Sequence, residues 1–153
     1  MGNEPDEMRL KAIGTVRNTV RKAPGGGYNW RDVVSEIEID SRLTDSLDGL
    51  EGFSHIIVIW WMHGVKADGE LPAKIHPRGD PERPLTGRFA TRSPQRPNPL
   101  GKATVRLLQR RGNILEVRGL DAIDGTPVID IKPYLPGYDS PPNAKAPEWT
   151  RTR

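Results

Sequence analysis

Glycine and proline together occupy 31 of the 153 positions, and this constrains the fold more than any other feature. Proline removes a backbone donor and glycine weakens a helix, so a helical bundle is excluded. There is no three-residue period, so collagen is excluded as well, and the share is too low for a disordered tract. What remains is a strand-rich domain with long, stiffened loops. At this length, with 35% hydrophobic residues, the chain is expected to form one domain over residues 1–153 and to bury a modest core. The core is expected over about 10–139, with a tail over 140–153.

Hydrophobic periodicity places the strands. Lys11 to Asn18 alternates and reads as a first strand, followed by a flexible Pro24-Gly25-Gly26-Gly27 loop. Val33 to Ile39 reads as a half-buried strand, with Ile37 and Ile39 on one face and Glu36 and Glu38 on the other. Leu43, Leu47 and Leu50 predict a short helix over Thr44 to Leu50, closed by Gly52. Ser54 to Met62 (SHIIVIWWM) is β-branched and aromatic, and its near-continuous apolarity implies burial on both faces. Gly64 to Leu85 is polar, with prolines at 72, 77, 81 and 84, and reads as a long loop. Ala103 to Leu108 and Ile114 to Leu120 form a predicted hairpin around Arg111-Gly112-Asn113. Asp124-Gly125 is a second turn, leading into a strand over Thr126 to Ile131. Pro133 to Arg153 has five prolines and no periodicity, so it lies along the body or projects from it. The fold class is mostly β: a small single-sheeted antiparallel barrel with long Pro/Gly-rich loops, because closure removes unpaired edges.

Several function classes drop out. Without cysteine there is no disulfide, thiolate metal site or thiol nucleophile. Met1 to Glu7 is polar and acidic, unlike a signal peptide, and the apolar run Ile56 to Met62 is too short to span a bilayer. A cytoplasmic location without membrane attachment is the expectation. Phosphate-loop, zincin and dinucleotide fingerprints are absent, and His55, His63 and His76 have no metal-ligand spacing, so no metal is expected.

Charge, by contrast, is segregated. Asp32 to Glu51 holds seven acidic residues against one basic, whereas Lys74 to Arg111 holds ten basic against two acidic. A cationic block of this kind suits a polyanion such as nucleic acid, a solvated basic face being the alternative. Within it stands FATRSPQRPNPLG, Phe89 to Gly101, where Pro94, Pro97 and Pro99 hold the backbone extended. Thr91, Arg92, Ser93, Arg96 and Asn98 are thereby exposed on a rigid frame, which lowers the entropy lost on gripping a ligand. The segment is either a clamp or a stiffened connection with solvated arginines. In DAIDGTPVIDIKPYLP, Asp121 to Pro136, Asp124 reads as a turn residue, and Asp130 with Lys132 as a natural ion pair.

These two segments and LDGLEGFSHIIVIWWMH (Leu47 to His63) together resemble the TrmO family, also called TsaA-like or YaeB-like, in the family's order. The similarity runs from Ile13-Gly14 to about Asp139. The resemblance implies a single-sheeted β-barrel methyltransferase that works as a homodimer. It would use S-adenosylmethionine to methylate N6 of threonylcarbamoyl-adenosine beside the anticodon of threonine tRNA. Carried over by motif, the cofactor site would comprise Pro24, Gly25 and Gly26; His63 and Gly64; Arg92; Thr104; and backbone from Leu120 through Asp121 and Ala122 to Ile123. The APGGGYNW loop is shorter than, and unlike, that of bacterial members. Those members often carry a further C-terminal domain, so tRNA recognition is expected from the barrel, its dimer and the basic block.

Methyl transfer from a sulfonium needs in-line positioning more than covalent catalysis. The urea-type N–H must nevertheless lose its proton, which a carboxylate can accept. Asp130 or Asp124 is the expected base, with Lys132 and Tyr134 orienting the nucleoside. Arg88, Arg96, Lys102, Arg106, Arg110 and Arg111 are the expected RNA phosphate contacts, joined by Arg83. Trp30, Tyr134 and Tyr138 are candidates for stacking a splayed base, packing being their alternative role. Competing readings are a same-fold methyltransferase on another substrate, a non-catalytic RNA-binding barrel, and a cofactor-binding sensor.

Overall fold

The computed structural model describes residues 6–65 and 69–151. The acidic N-terminal stretch, apart from Asp6 and Glu7, thus lies outside the described residues, as do positions 66–68 of the long loop and 152–153 of the tail. Six strands close a barrel: β1 (Gly14–Arg17), β2 (Val34–Ile39), β3 (His55–Trp61), β6 (Leu100–Arg111), β7 (Ile114–Arg118) and β8 (Pro127–Pro133). Their order is β1-β2-β7-β6-β3-β8, every pairing is antiparallel, and β8 returns to β1. The short β4 (Lys74–Ile75) and β5 (Thr86–Gly87) pair separately.

β3 sits between the longest strand and β8, which explains its composition. Ile56, Val58 and Trp60 face the interior and are buried, and Ile57 on the opposite face is buried as well. With Val16, Ile37, Ile39, Val105, Leu115, Val117 and Val128 they fill the barrel, and each such side chain contributes roughly 1.5–3 kcal/mol. Leu47 closes one end, while Leu120 and Ala122 close the other. A packed interior leaves no room for a ligand, so a site must lie at the mouths or on the outer wall.

Some elements differ from the sequence expectation. β6 starts at Leu100, earlier than Ala103, because the chain leaves its proline-fixed course at Pro99 and Gly101 lets the strand pass beneath the Trp60 indole. β1 is only four residues long. The predicted helix over Thr44 to Leu50 is instead a 3-10 segment over Ser41–Leu47, capped by Asp40, with a separate turn over Leu50–Gly52. Gly49, at φ 92°, breaks the two apart. The long loop contains β4 and a tight turn over Pro77–Gly79 in which Arg78 adopts φ 60°. The tail returns to the body: Arg83 donates from Nη1 to the Trp149 carbonyl at 3.2 Å.

Candidate active site

One mouth of the barrel gathers the polar loops: the ends of β1, β3 and β7 and the starts of β6 and β8. Gly119, at φ 92°, turns the chain away from β7. Leu120 and Ala122 then plug the barrel, so Asp121 between them points out of the mouth. The segment is pinned from several sides. Asn18 donates from Nδ2 to the Ala122 carbonyl at 2.8 Å and from its amide to Asp124 Oδ1 at 3.0 Å. The Asp124 amide donates to Val20 at 2.7 Å, and the Thr126 hydroxyl to Ile123 at 2.7 Å. Gly64, just after β3, faces Ile123, whose Cδ1 would lie 4.0 Å from an added Cβ.

Arg92 approaches the same mouth on the proline-fixed loop. Thr91 is buried, and its hydroxyl donates to the Arg88 carbonyl at 2.8 Å. Arg96 folds back and donates from Nη1 to the Thr91 and Ser93 carbonyls at 2.9 and 3.0 Å. Arg96 thus braces the backbone on both sides of Arg92, whose own side chain stays exposed. Burial pushes the Asp121 carboxyl above its ordinary pKa, and the Arg92 charge opposes that rise. Arg92 also lines a cavity of about 840 Å³, together with His76, Arg78, Phe89 and Trp149. That volume suits a nucleoside-sized ligand.

The structure therefore brings His63, Gly64, Arg92 and Leu120 to Ile123 to one end of the barrel. Gly25 and Gly26 lie in open space on an exposed loop, Pro24 being partly covered. Thr104 does not join the mouth: its neighbours Ala103 and Val105 turn inward, which puts it on the outer wall, paired with Ile57.

The two carboxylates expected to act as bases are both occupied, and they do not meet. Asp124 accepts the Asn18 amide. Asp130 lies within β8, beyond the turn at Asp124 and Gly125, where it pairs with Lys132 at 2.9 Å. Tyr134 packs edge-on against His55, with centroids 6.3 Å apart, and so stands at the far end from Asp124. Trp30 packs against Tyr28 at 4.9 Å, whereas Tyr138 is exposed.

The expected RNA contacts divide in the same way. Arg88 is buried and its guanidinium forks onto the Pro72 carbonyl at 3.0 and 2.6 Å, so it is no surface cation. Arg110 is held by Asp48 and Glu51, and Arg111 by Glu36 at 2.7 Å. Arg96 serves the loop. Lys102 and Arg106 stand exposed on the outer wall. Sequence reasoning missed Arg118, which the register places directly opposite Arg106. It also missed Phe89, 80% exposed at the cavity, although a large apolar residue leading a polar loop was a readable signal. Among the described residues no group of three or more potential metal ligands comes together. No helix among them is long and apolar enough to cross a membrane.

A filled six-stranded antiparallel barrel with its polar groups on loops at one mouth defines a small barrel protein with a loop-built ligand site. The chain belongs to the TrmO_N family: residues 13–140 match the tRNA-methyltransferase O N-terminal domain. It is 46% identical over 137 residues to a probable S-adenosyl-L-methionine-binding protein of Methanothermobacter thermautotrophicus, covering 88% of this chain and 95% of that one. It is 43% identical over 105 residues to the human tRNA (adenine(37)-N6)-methyltransferase, covering 67% of this chain but 23% of the human one. The crystal structure of TrmO from Pseudomonas aeruginosa superposes with a TM-score of 0.71 at 28% identity, over 91% of this chain and 61% of that one. The chain likewise spans only 37% of an Archaeoglobus fulgidus relative named as a probable S-adenosyl-L-methionine-binding protein, at 43% identity.

Proposed function

We propose that this protein is an S-adenosylmethionine-dependent methyltransferase acting on N6 of the adenine beside the anticodon of tRNA, with threonylcarbamoyl-adenosine as the target nucleoside. The carrying observation is the position of Arg92, whose charge is felt by Asp121 at the mouth while its side chain lines the nucleoside-sized cavity. The names of the Methanothermobacter and human relatives support the cofactor and the reaction respectively.

The residues at the mouth suit the cofactor. Arg92 offers a fork of N–H donors to an amino-acid carboxylate. Gly64 leaves a flat approach beside Ile123, and the backbone of Leu120 to Ile123 is immobilised by the Asn18 and Thr126 bonds. When bound there, S-adenosylmethionine supplies an activated methyl group on a sulfonium sulfur. The chain itself provides position: Arg96 fixes Arg92, Asn18 fixes the plug, and the cavity next to Arg92 receives the nucleoside. Phe89 at the cavity offers an aromatic face on which a splayed base can stack.

The tRNA backbone is proposed to lie on the outer wall that carries Lys102, Arg106 and Arg118. A homodimer is part of the reading, supported by an apolar groove of about 620 Å³ where Trp61, Leu100 and Ile129 meet Met8 and Leu10. A cytoplasmic location accompanies a tRNA substrate. The test is calorimetric titration with S-adenosylmethionine, followed by methyl transfer to tRNA transcripts with and without the threonylcarbamoyl group. Binding weakened at least tenfold by Arg92→Ala, with product formed only on modified tRNA, is the expected result. Absence of cofactor binding would sink the reading, and transfer to unmodified tRNA alone would sink its choice of substrate.

A further inference from the structure

We propose that Asp121 is the catalytic base that receives the N6 proton of the substrate. This rests on the methyltransferase reading above and names the group that reading lacks. Three carboxylates lie on the segment from Leu120 to Pro133, at 121, 124 and 130. Asp124 is used up in holding the Asn18 amide at 3.0 Å, and Asp130 is paired with Lys132 and also accepts its neighbour's amide, Ile131 N, at 2.9 Å. Among the described residues Asp121 has no side-chain hydrogen-bond or ion-pair partner, and the hydrogen bond it does receive comes from its own amide. Its neighbours on both sides are buried in the barrel plug, and the Asn18 and Thr126 bonds fix the backbone just beyond it. A carboxylate held on a rigid frame and left unpaired at a mouth is what a proton acceptor requires.

Its surroundings strengthen the base. The side chain reaches solvent, yet the crowded mouth removes enough water to disfavour the charged form, so the carboxyl pKa lies above its ordinary value. Arg92 from the proline-fixed loop works the other way and favours the ionised form. His63 after β3 and Asp124 in the following turn are further titratable groups on the loops of this mouth, and the loop between β1 and β2 brings Arg31 and Asp32 to the same end.

The chemistry needs such a group because the N6 lone pair is spread into the purine and the carbamoyl carbonyl. Nitrogen becomes nucleophilic only as its proton leaves. N6 gains the methyl as the carbon–sulfur bond breaks, the sulfonium becomes a neutral thioether, and the Asp121 carboxylate ends protonated.

The test compares the full chain with Asp121→Asn and Asp121→Glu. Asp121→Asn is expected to lower kcat on tRNA by roughly 10²–10⁴-fold while leaving the Kd for S-adenosylhomocysteine within about threefold. Asp121→Glu is expected to retain part of kcat. A further readout needs no turnover. Because the folded-state pKa is raised, the group's contribution to stability is present below the unfolded value and is lost as pH rises through the folded one. Asp121→Asn should therefore melt at or above the wild-type Tm at pH 7, with the difference vanishing in acid. Intact kcat in Asp121→Asn would overturn the assignment. A weakened Kd with kcat preserved would make Asp121 a cofactor anchor, and a lowered Tm with all functions lost would make it structural; either result rejects the base role. Absence of turnover in the wild type, where the cofactor binds, would overturn the methyltransferase reading itself and the assignment with it.

Discussion

The glycine that ends FATRSPQRPNPLG has no room for a methyl group. A Cβ on Gly101 would lie 2.2 Å from the Trp60 indole, its cross-strand partner, so the ring lies flat over the strand. Gly101→Ala is expected to cost about 1–3 kcal/mol, seen as a fall in Tm of roughly 2–4 °C per kcal/mol. Adding Trp60→Leu should recover part of that loss, and additive effects in the double-mutant cycle would show the indole is not the cause. At this scale the sequence is half legible. The prolines announce a rigid frame that carries Thr91, Arg92, Ser93, Arg96 and Asn98, and only the family resemblance singles out Arg92 among them. Asp121 could not be chosen in advance, because the chain alone does not show that Asn18 occupies Asp124 and that Lys132 occupies Asp130. Counting charge likewise misses that Arg88 is spent on the Pro72 carbonyl.

Elements were legible where they are long. Alternation located β2, and unbroken β-branched and aromatic residues located β3. The β4–β5 ladder was not, since each strand has two residues and two residues carry no period. The 3-10 segment over Ser41–Leu47 was read as a helix shifted by three residues because leucine spacing does not reveal its cap. That cap is titratable. The Arg42 side chain and then its backbone amide hold the Asp40 carboxyl down, from 3.8 to about 2. A depressed folded pKa means its stabilisation is present above the unfolded value and is lost as pH falls through the folded one. Asp40→Asn should therefore lower Tm at pH 6, and the gap to wild type should close between about pH 4 and pH 2. A gap unchanged across that range would show that Asp40 does not act through its charge. Arg110 ties the same region to β6 through Asp48, Glu51 and the Thr44 carbonyl. Arg110→Ala should lower Tm without altering affinity for tRNA, because this guanidinium is already neutralised.

Across the whole barrel, charge is divided between two regions. Acidic side chains surround the end closed by Leu47, and the wall formed by β6 and β7 carries cations facing solvent. Arg106 stands directly opposite Arg118 on one side and opposite His55 on the other. Neither arginine has an ion-pair partner among the described residues. Like charges in direct cross-strand register destabilise a sheet, so this row costs the fold something and gains only when an anion lies across it. RNA phosphates fit that requirement, because their spacing lets one strand contact several cations and release its counterions. Arg106→Gln and Arg118→Gln should each weaken tRNA binding about equally for all sequences and reduce the salt slope by roughly 1, while Tm stays level or rises. Arg111→Gln is the matched control: Glu36 already neutralises that cation, so binding and slope should hardly move. If Arg111→Gln weakened binding as much as Arg106→Gln, the effect would follow total charge and not this row. The RNA would then have to be placed elsewhere on the barrel.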